Sequence, residues 1–182
     1  MRYRRLRVEG ASYFFTLVTQ DRRRLFIDEQ SVALPDAAIA QVRERHPFEV
    51  EAQVVLPDHL HCLWQLPKND ADFSTRWRLI KEAFTKSFVK RYETRVVTER
   101  RQARGERGVW QRRFWEHLIR DEDDFGAHLD YIHLNPVHHG YVKAPQDWRF
   151  STFERWVEKG VYEPAWGSDA APELPAWARK LE

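Results

Sequence analysis

The stretch FEVEAQVVLPDHLHCLWQL, residues 48–66, decides the fold. Its first half alternates apolar and polar residues, which predicts a half-buried strand, and its second half is a further apolar run. Only the dipeptide Pro-Asp separates the two halves, and so short a link predicts an antiparallel hairpin. Side chains two positions apart on a strand point the same way, so His59 and His61 share one face, with Leu60 and Cys62 on the other.

The two histidines have two interpretations. Two neutral imidazoles side by side are a ready pair of nitrogen ligands for a divalent cation. The alternative is a pair of histidines at a strand edge that hydrogen-bond to backbone or solvent. Cys62 is the only cysteine, which excludes an internal disulfide and a cysteine-rich zinc site. Any metal ligand must therefore be His, Asn, Asp or Glu.

Length and composition limit the class of protein. A chain of 182 residues fits one domain and can bury a sizeable core. It is 32% charged, and no apolar run approaches the roughly 20 residues that cross a bilayer. The basic N-terminus is not followed by the apolar segment of a secretion signal, so we expect a cytoplasmic protein.

Charge is unevenly distributed along the chain. Residues 1–24 hold seven basic against two acidic residues, and residues 76–113 hold thirteen against four. Residues 114–182 hold seven basic and thirteen acidic residues. Charged blocks of this kind can be ordinary solvent-exposed surfaces. In the first block, however, arginine predominates, and its guanidinium can bind two phosphate oxygens at once. The pattern favours a nucleic-acid partner.

The hairpin is one part of a longer predicted order of elements. Pro35 is placed in the first turn of the first helix, Asp121 caps the last helix, and Pro136 should fray or kink it. The predicted order is strand, helix, hairpin, helix, strand, helix, which favours a ferredoxin-like α+β fold, an antiparallel sheet with helices packed on one face. The flanking elements are strands over 12–19 and 114–119, helices over 31–46, 72–92 and 121 to about 135, a flexible basic loop over 93–109, and a short helix from Phe153.

The last long helix carries a second set of polar residues. Tyr131 and Asn135 stand four residues apart and so lie on one face of the helix. His128, three residues before Tyr131, lies on the adjacent part of the helix surface. A tyrosine hydroxyl has a pKa of about 10, so it needs a base or a cation-activated electrophile to act as a nucleophile. If the helix packs over the hairpin, the Asn135 oxygen could complete a ligand set with the histidines. The alternative is a core tyrosine and an amide that ends the helix before Pro136.

Four segments together resemble the REP-associated tyrosine transposases, a branch of the single-tyrosine HUH (His-hydrophobic-His) transposases. The resemblance runs from about Tyr13 to Val142. An isolated His-x-His is weak evidence, but the ordered set with Tyr-x-x-x-Asn downstream is specific. The segments are LPDHLHCLW (56–64), DFSTRWRLIKEAFT (72–85), RRFWEHLIRDEDDF (112–125) and DYIHLNPVHHGYV (130–142).

The resemblance implies a fold, a reaction and a site. The fold is an HUH domain, expected over 1–147 with its basic N-terminal arm, followed by a helix and an acidic Pro/Ala-rich tail over 148–182. The reaction is cleavage and rejoining of single-stranded DNA at REP-type hairpins, aided by Mg²⁺ or Mn²⁺. His59 and His61 are then metal ligands, Tyr131 forms a 5'-phosphotyrosine, and Asn135 is the third ligand. No role is assigned to His133, His138 or His139.

Several residues are predicted to contact DNA. Trp110 or Trp115 could stack on an unpaired base; core packing is the alternative for both, and it is favoured for Trp115 because of its strand context. The acidic tail from Glu163 is expected to compete with DNA for the basic groove, so deletion of 164–182 should raise DNA affinity or cleavage. The predicted DNA-binding residues are Arg2, Arg4, Arg5, Arg7, Arg76, Lys81, Lys86 and Trp110.

Two rival functions remain at this point: a DNA-binding module without cleavage, and a metal-dependent nuclease that activates water. The sequence shows no clear exposed apolar surface that could form a dimer interface, so a monomer is favoured over a dimer. The transposase interpretation requires the Tyr131 phenol to face the histidine pair and to be within reach of DNA.

Overall fold

A computed structural model describes residues 6–92, 99, 103, 107–168, 175 and 177–178. Most of the predicted basic loop over 93–109 lies outside these residues. The strands are β1 (Ser12–Val18), β2 (Glu49–Leu56), β3 (His59–Gln65) and β4 (Trp115–Leu118). The helices are α1 (Glu29–Arg43), α2 (Phe73–Phe88), α3 (Glu122–His138) and α4 (Phe153–Glu158), with short 3-10 turns at Gln20–Arg22 and Pro145–Asp147.

The four strands form one antiparallel sheet in the order β2-β3-β1-β4. The predicted hairpin is confirmed, with Leu56 paired to His59 across the Pro-Asp turn. On the other side of β3, His61 pairs with Thr16 of β1. The predicted mixed α+β class is confirmed, and the hairpin places both histidines in the middle of the sheet.

The sheet is covered on both faces, which corrects the expectation that all the helices pack on one face. α1 and α2 cover one face, where Phe15 and Trp64 belong to the larger core. α3 lies on the other face, where Phe14 and Leu63 pack with Ile132. The physical reason is that β3 is buried from His59 to Trp64 on both sides, so each of its faces needs a covering layer.

Helix ends follow local hydrogen bonding more closely than proline positions. Asp28 caps α1 in a capping box with Ser31, so Pro35 lies inside the helix and not in its first turn. Asp121 caps α3 as predicted, its carboxylate accepting from the Asp124 N–H at 2.8 Å. Pro136 does not end α3, which continues to His138 because the next N–H groups still find carbonyl acceptors.

The outer edge of β2 is paired with the segment that follows α3. The N–H of Val55 donates to the carbonyl of Phe150, and the N–H of Thr152 donates to that of Gln53, both at 2.9 Å. The indole of Trp148 also donates to the carbonyl of Val55 at 3.1 Å. None of the helices in the described part of the chain is both long and apolar enough to cross a membrane.

Candidate active site

His59 and His61 lie side by side on the face of the sheet that α3 covers. Their ring centroids are 5.0 Å apart, with an interplanar angle of 79°. Both side chains are buried, with exposed fractions of 3% and 0%. The two imidazoles therefore lie on one face of the sheet, as their spacing predicts.

One nitrogen of each imidazole already has a hydrogen-bond partner. Nδ1 of His61 lies 2.9 Å from Oγ1 of Thr16, and Nδ1 of His59 lies 2.6 Å from Oδ1 of Asp58. Asp58 in turn forms an ion pair with Arg22 at 3.4 Å. Metal-binding histidines commonly have such a partner on the second nitrogen, because it fixes the ring orientation. The arrangement leaves Nε2 of each ring as the atom that can bind a ligand.

Burial lowers the pKa of His61 well below its usual value, and the neighbouring His59 lowers it further. His61 is therefore a neutral imidazole near pH 7, with a lone pair on one nitrogen. Neutral imidazole is the form that binds a divalent cation.

α3 places Tyr131 and Asn135 against the histidine pair. The Tyr131 hydroxyl lies 3.5 Å from Nε2 of His61, and the rings of His139 and His59 meet edge-on with centroids 5.2 Å apart. Asn135 lies one helical turn from each of these contacts, between Tyr131 and His139. The two flanking contacts indicate that Asn135 also faces the histidine pair.

The Asn135 amide is the feature that best fits a metal ligand. Its side chain is fully buried, and within the described residues neither amide atom has a hydrogen-bond partner. A buried unpaired amide costs free energy, so a group that would satisfy it is expected at this position. Two imidazole nitrogens and an amide oxygen are a donor set that suits a divalent first-row cation.

The Tyr131 phenol faces the histidine pair but is covered from solvent. Its exposed fraction is 2%, and the Trp177 indole packs edge-on against it with ring centroids 5.1 Å apart. Trp177 also stacks flat on His128 at 4.1 Å. The Tyr131 phenol thus faces the histidine pair, as the transposase interpretation requires. The same interpretation also requires that DNA can reach the phenol, and this is not met while Trp177 occupies this position.

A second polar cluster lies beside the tyrosine. Asp124 accepts from Nε2 of His117 at 2.8 Å and from Nε of Arg120 at 3.1 Å, and its backbone carbonyl lies 2.7 Å from Nδ1 of His128. Burial alone would raise the pKa of Asp124, but the bonds from Arg120 and His117 outweigh it and lower that pKa. Sequence analysis missed this cluster, although the alternation along β4 could have placed His117 on the α3 face.

Within the described residues, this cluster is the one group of three His, Cys, Asp or Glu side chains whose ligand atoms lie within 4.8 Å of one another. The Arg120 guanidinium already neutralises the Asp124 carboxylate, however. A cation bound there would have to displace or oppose it. We therefore describe His117, Asp124 and His128 as a hydrogen-bonded cluster.

Comparison with known proteins decides the family. The family model described as "Transposase IS200 like" matches residues 7–135. The chain belongs to this family. The match spans all four strands and runs to Asn135, so the histidine pair, Tyr131 and Asn135 all lie inside it.

Relatives of this IS200-like transposase extend the match. A REP-associated tyrosine transposase of Escherichia coli is 45% identical over 92% of this chain and 91% of its own length. A putative REP-associated tyrosine transposase of Haemophilus influenzae is also 45% identical, over 94% of this chain and 95% of its own length. A solved structure of a REP-associated tyrosine transposase bound to a REP hairpin is 40% identical, with a TM-score of 0.77, and covers 97% of this chain and 96% of that chain. The predicted family and enzyme class are confirmed, and the family is metal-dependent.

Four of the predicted DNA-binding residues lie at or near a basic cleft between α2 and residues 107–114: Arg7, Lys81, Lys86 and Trp110. The cleft has a volume of about 660 Å³. Lys86 is exposed at its wall, while Nζ of Lys81 donates to the carbonyl of Gln111 at 2.7 Å. Arg7 is exposed and donates to Oγ of Ser74 at 3.2 Å. The cleft is on the α2 face of the sheet, so DNA that fills it must pass around the sheet to reach Tyr131.

Arg76 is not available to DNA, and its prediction as a DNA-binding residue is wrong. Its exposed fraction is 2%, and its guanidinium forms an ion pair with Asp70 at 2.8 Å. It also donates to the carbonyls of His46, Pro47 and Asp72. Arg76 thus ties the start of α2 to the α1–β2 connection. Arg2, Arg4 and Arg5 lie outside the described residues.

Trp115 is more exposed than expected, whereas Trp110 both packs on the larger core and lines the basic cleft. Trp110 is partly buried and packs against Phe26 and Phe84, with ring centroids 5.9 and 4.9 Å away. Trp115 is 38% exposed on the α3 face of β4. Trp115 is therefore an exposed aromatic ring near the site, and the stacking role of Trp110 stays a prediction.

The remaining histidines divide into two kinds. His133 is fully buried, with Nε2 3.0 Å from Oγ1 of Thr152 and Nδ1 3.4 Å from the Tyr162 hydroxyl, so it is neither a surface histidine nor one bonded to the backbone. His139, to which no role was assigned either, lies beside His59. Its spacing of four residues from Asn135 was the signal that could have placed it there.

Proposed function

We propose that the chain cleaves and rejoins single-stranded DNA at REP-type hairpins through a 5'-phosphotyrosine formed on Tyr131. The observation that carries the proposal is the Tyr131 hydroxyl, 3.5 Å from Nε2 of His61. The unpaired, fully buried amide of Asn135 on the same helix supports it. The relatives named as REP-associated tyrosine transposases, one of them solved with a REP hairpin, support the choice of DNA.

The chemistry follows from the groups present. The Tyr131 oxygen attacks phosphorus in line, the bond from phosphorus to the 3' oxygen breaks, and a 3'-hydroxyl leaves. The phosphotyrosine conserves an ester bond, so the reverse attack by a 3'-hydroxyl rejoins the strand. A divalent cation held by His59, His61 and Asn135 would offset the negative charge that gathers on the non-bridging oxygens.

The metal is proposed to be Mg²⁺ or Mn²⁺, with Mn²⁺ bound more tightly. Mg²⁺ prefers an all-oxygen octahedral shell, whereas two imidazole nitrogens suit Mn²⁺ better. Thr16 and Asp58 fix the two imidazoles by their Nδ1 atoms, so both ring orientations are set before a cation arrives.

The wider arrangement is proposed on the same basis. The N-terminal arginines, Arg7, Lys81 and Lys86 would follow DNA phosphates, which makes binding salt-dependent. We propose residues 1–147 as the catalytic domain and 148–182 as a C-terminal extension. We further propose that the protein acts as a monomer in the cytoplasm.

The test is to trap the covalent adduct. A hairpin oligonucleotide with unpaired flanks is labelled at either end and incubated with Mn²⁺. We expect the 3'-labelled fragment to stay attached to denatured protein and the 5'-labelled fragment to be released. Tyr131→Phe should abolish the adduct, and Tyr92→Phe, four residues after the end of α2, should keep it.

Two results contradict the proposal. Cleavage without an adduct indicates a hydrolytic nuclease that activates water. A shift of the DNA in a binding assay without cleavage, at any Mn²⁺ concentration, indicates a binding module.

A further inference from the structure

Four aromatic rings form a column on the α3 face, beside the proposed nucleophile. Trp115 stacks on His117 with centroids 5.8 Å apart and an angle of 4°. His117 stacks on His128 at 4.6 Å and 14°, and His128 stacks on Trp177 at 4.1 Å and 15°. The last ring also contacts Tyr131 edge-on at 5.1 Å. The column thus runs from an exposed ring at the edge of the sheet to the phenol.

The two imidazoles in the column are held in place by Asp124. Its carboxylate binds Nε2 of His117 at 2.8 Å, and its carbonyl binds Nδ1 of His128 at 2.7 Å. Asp124 is itself held by Arg120 and by the N-terminal cap of α3. Because each ring has one fixed nitrogen, its flat face keeps one orientation whether or not another ring lies on it.

Trp177 belongs to the C-terminal segment, whereas the other three rings belong to β4 and α3. Burial of an indole does not require parallel stacking, since aromatic side chains in cores also pack edge-to-face. Here the indole lies flat on an imidazole at 15°. That is the geometry in which a planar nucleobase stacks on an aromatic side chain of a single-strand-binding protein.

We propose that the slot now filled by the Trp177 indole is a stacking subsite for an unpaired nucleobase next to the scissile phosphate. His128 is the platform, His117 and Trp115 extend it, and Trp177 occupies it as a bicyclic base would. The proposal rests on the proposed function of Tyr131, because it is the position of that phenol which makes the stacked base the neighbour of the reacting phosphate. His128 is then a positioning residue that selects for an unpaired base at one place in the DNA.

The experiment uses the full chain and a hairpin oligonucleotide with 2-aminopurine placed in turn at each unpaired position beside the hairpin foot. All proteins carry Tyr131→Phe so that the DNA stays intact. Trp177→Ala should open the slot, so that 2-aminopurine at one flanking position stacks there. Its fluorescence should then be quenched more strongly than with the protein that carries only Tyr131→Phe. In that background His128→Phe, which keeps a flat ring, should preserve the quenching, and His128→Leu should lose it.

A second arm needs no change at His128. Replacing the quenched base with an abasic site should weaken binding to the Trp177→Ala protein by about 5- to 150-fold, the range for one stacked base. The same abasic site should make little difference to the His128→Leu protein. A change in affinity from His128→Leu that is equal for normal and abasic DNA overturns the subsite. So does equal quenching in the Phe and Leu variants.

The two proposals fail separately. With Tyr131 restored, formation of the covalent adduct alongside a negative stacking result removes only the subsite. Loss of the adduct with every oligonucleotide, including those that bind, removes the function on which the subsite rests. A metal role for His128 is also distinguishable, because His128→Phe would then behave like His128→Leu.

Discussion

The Tyr131 hydroxyl lies 3.5 Å from Nε2 of His61, a residue 70 positions earlier in the chain. This contact exists because α3 crosses the face of the sheet on which the hairpin presents its two histidines. One turn further along α3 lies Asn135, whose side chain is fully buried. The contact therefore joins the two halves of the proposed site, and each half can be tested by itself.

Asn135→Leu should have opposite effects on stability and on metal binding. A buried amide left unpaired costs about 1–3 kcal/mol, so an apolar side chain of similar volume should raise the free energy of unfolding without metal by about 1 kcal/mol. The same change removes a ligand, so the rise in Tm on addition of Mn²⁺ should shrink. Urea unfolding with EDTA and thermal unfolding with Mn²⁺ measure the two effects.

Asn135→Asp is the matched control for this prediction. It keeps an oxygen ligand at the same position and should retain the Tm rise with Mn²⁺. Full retention of that rise in Asn135→Leu as well would remove Asn135 from the ligand set.

Asp58→Asn should weaken metal binding without removing a ligand. The Asp58 carboxylate lies 2.6 Å from Nδ1 of His59 and so fixes the orientation of that ring. Loss of such a partner typically costs 10- to 100-fold in metal affinity, roughly the range expected here. Titration of cleavage with Mn²⁺ should show a higher half-saturating concentration and a similar maximum rate. Asp147→Asn, at an exposed turn, is the control, and an unchanged Mn²⁺ titration for Asp58→Asn would contradict the prediction.

Truncation after Ser168 should increase cleavage. It removes Trp177, which covers Tyr131, but keeps Trp166, which stacks on Tyr162 at 4.3 Å in the second core. The sequence suggested a different reason, competition of an acidic tail for the basic groove. The two reasons differ in their response to salt: a gain from uncovering Tyr131 persists at high salt, whereas a gain from charge removal disappears. Rates for the full and truncated chains at two salt concentrations measure the difference.

His133 should make the protein less stable as the pH falls. Burial, and then the nearby Arg155, lower the pKa of His133 to about 3, against about 6.5 in an unfolded chain. Below pH 6.5 the unfolded chain therefore takes up a proton that the folded chain refuses. The contribution to stability is complete above pH 6.5 and is lost between that pH and about pH 3.

His133→Gln is the variant that tests this dependence. The wild type should lose about 2 kcal/mol more than the variant in free energy of unfolding between pH 8 and pH 5, by linkage. Urea unfolding at the two pH values gives the comparison. Equal slopes for the two proteins would show that His133 titrates alike in the folded and unfolded chains.

The sequence could predict what depends on local periodicity. The two-residue spacing of His59 and His61 and the four-residue spacing of Tyr131 and Asn135 fix which side chains share a face, whatever the rest of the fold does. Arg76 shows where such reasoning stops. It was predicted to bind DNA, but its guanidinium turns inward to Asp70 and to backbone carbonyls that no local pattern connects to it.

Trp177 could not be predicted for a related reason. Its ring reaches His128 and Tyr131 from the far end of the chain, and a tail rich in Pro and Ala has no periodicity that indicates a docking place. The second core was closer to being predictable. A strand that is buried on both faces, as β3 is, needs a covering layer on each, and within the described residues α3 is the long helix that remains after α1 and α2 cover the first face.

The pairing of residues 150–152 with β2 has a consequence for how copies of the chain meet. An unpaired edge strand invites another strand to join it, and this is a common route to sheet-mediated association. Here the amide of Val55 and the carbonyl of Gln53 already have partners within the chain, and the opposite edge, β4, is only four residues long. A second molecule that approaches along the sheet therefore meets occupied backbone groups on the β2 side and only a four-residue strand on the other, which disfavours association by strand addition at both borders.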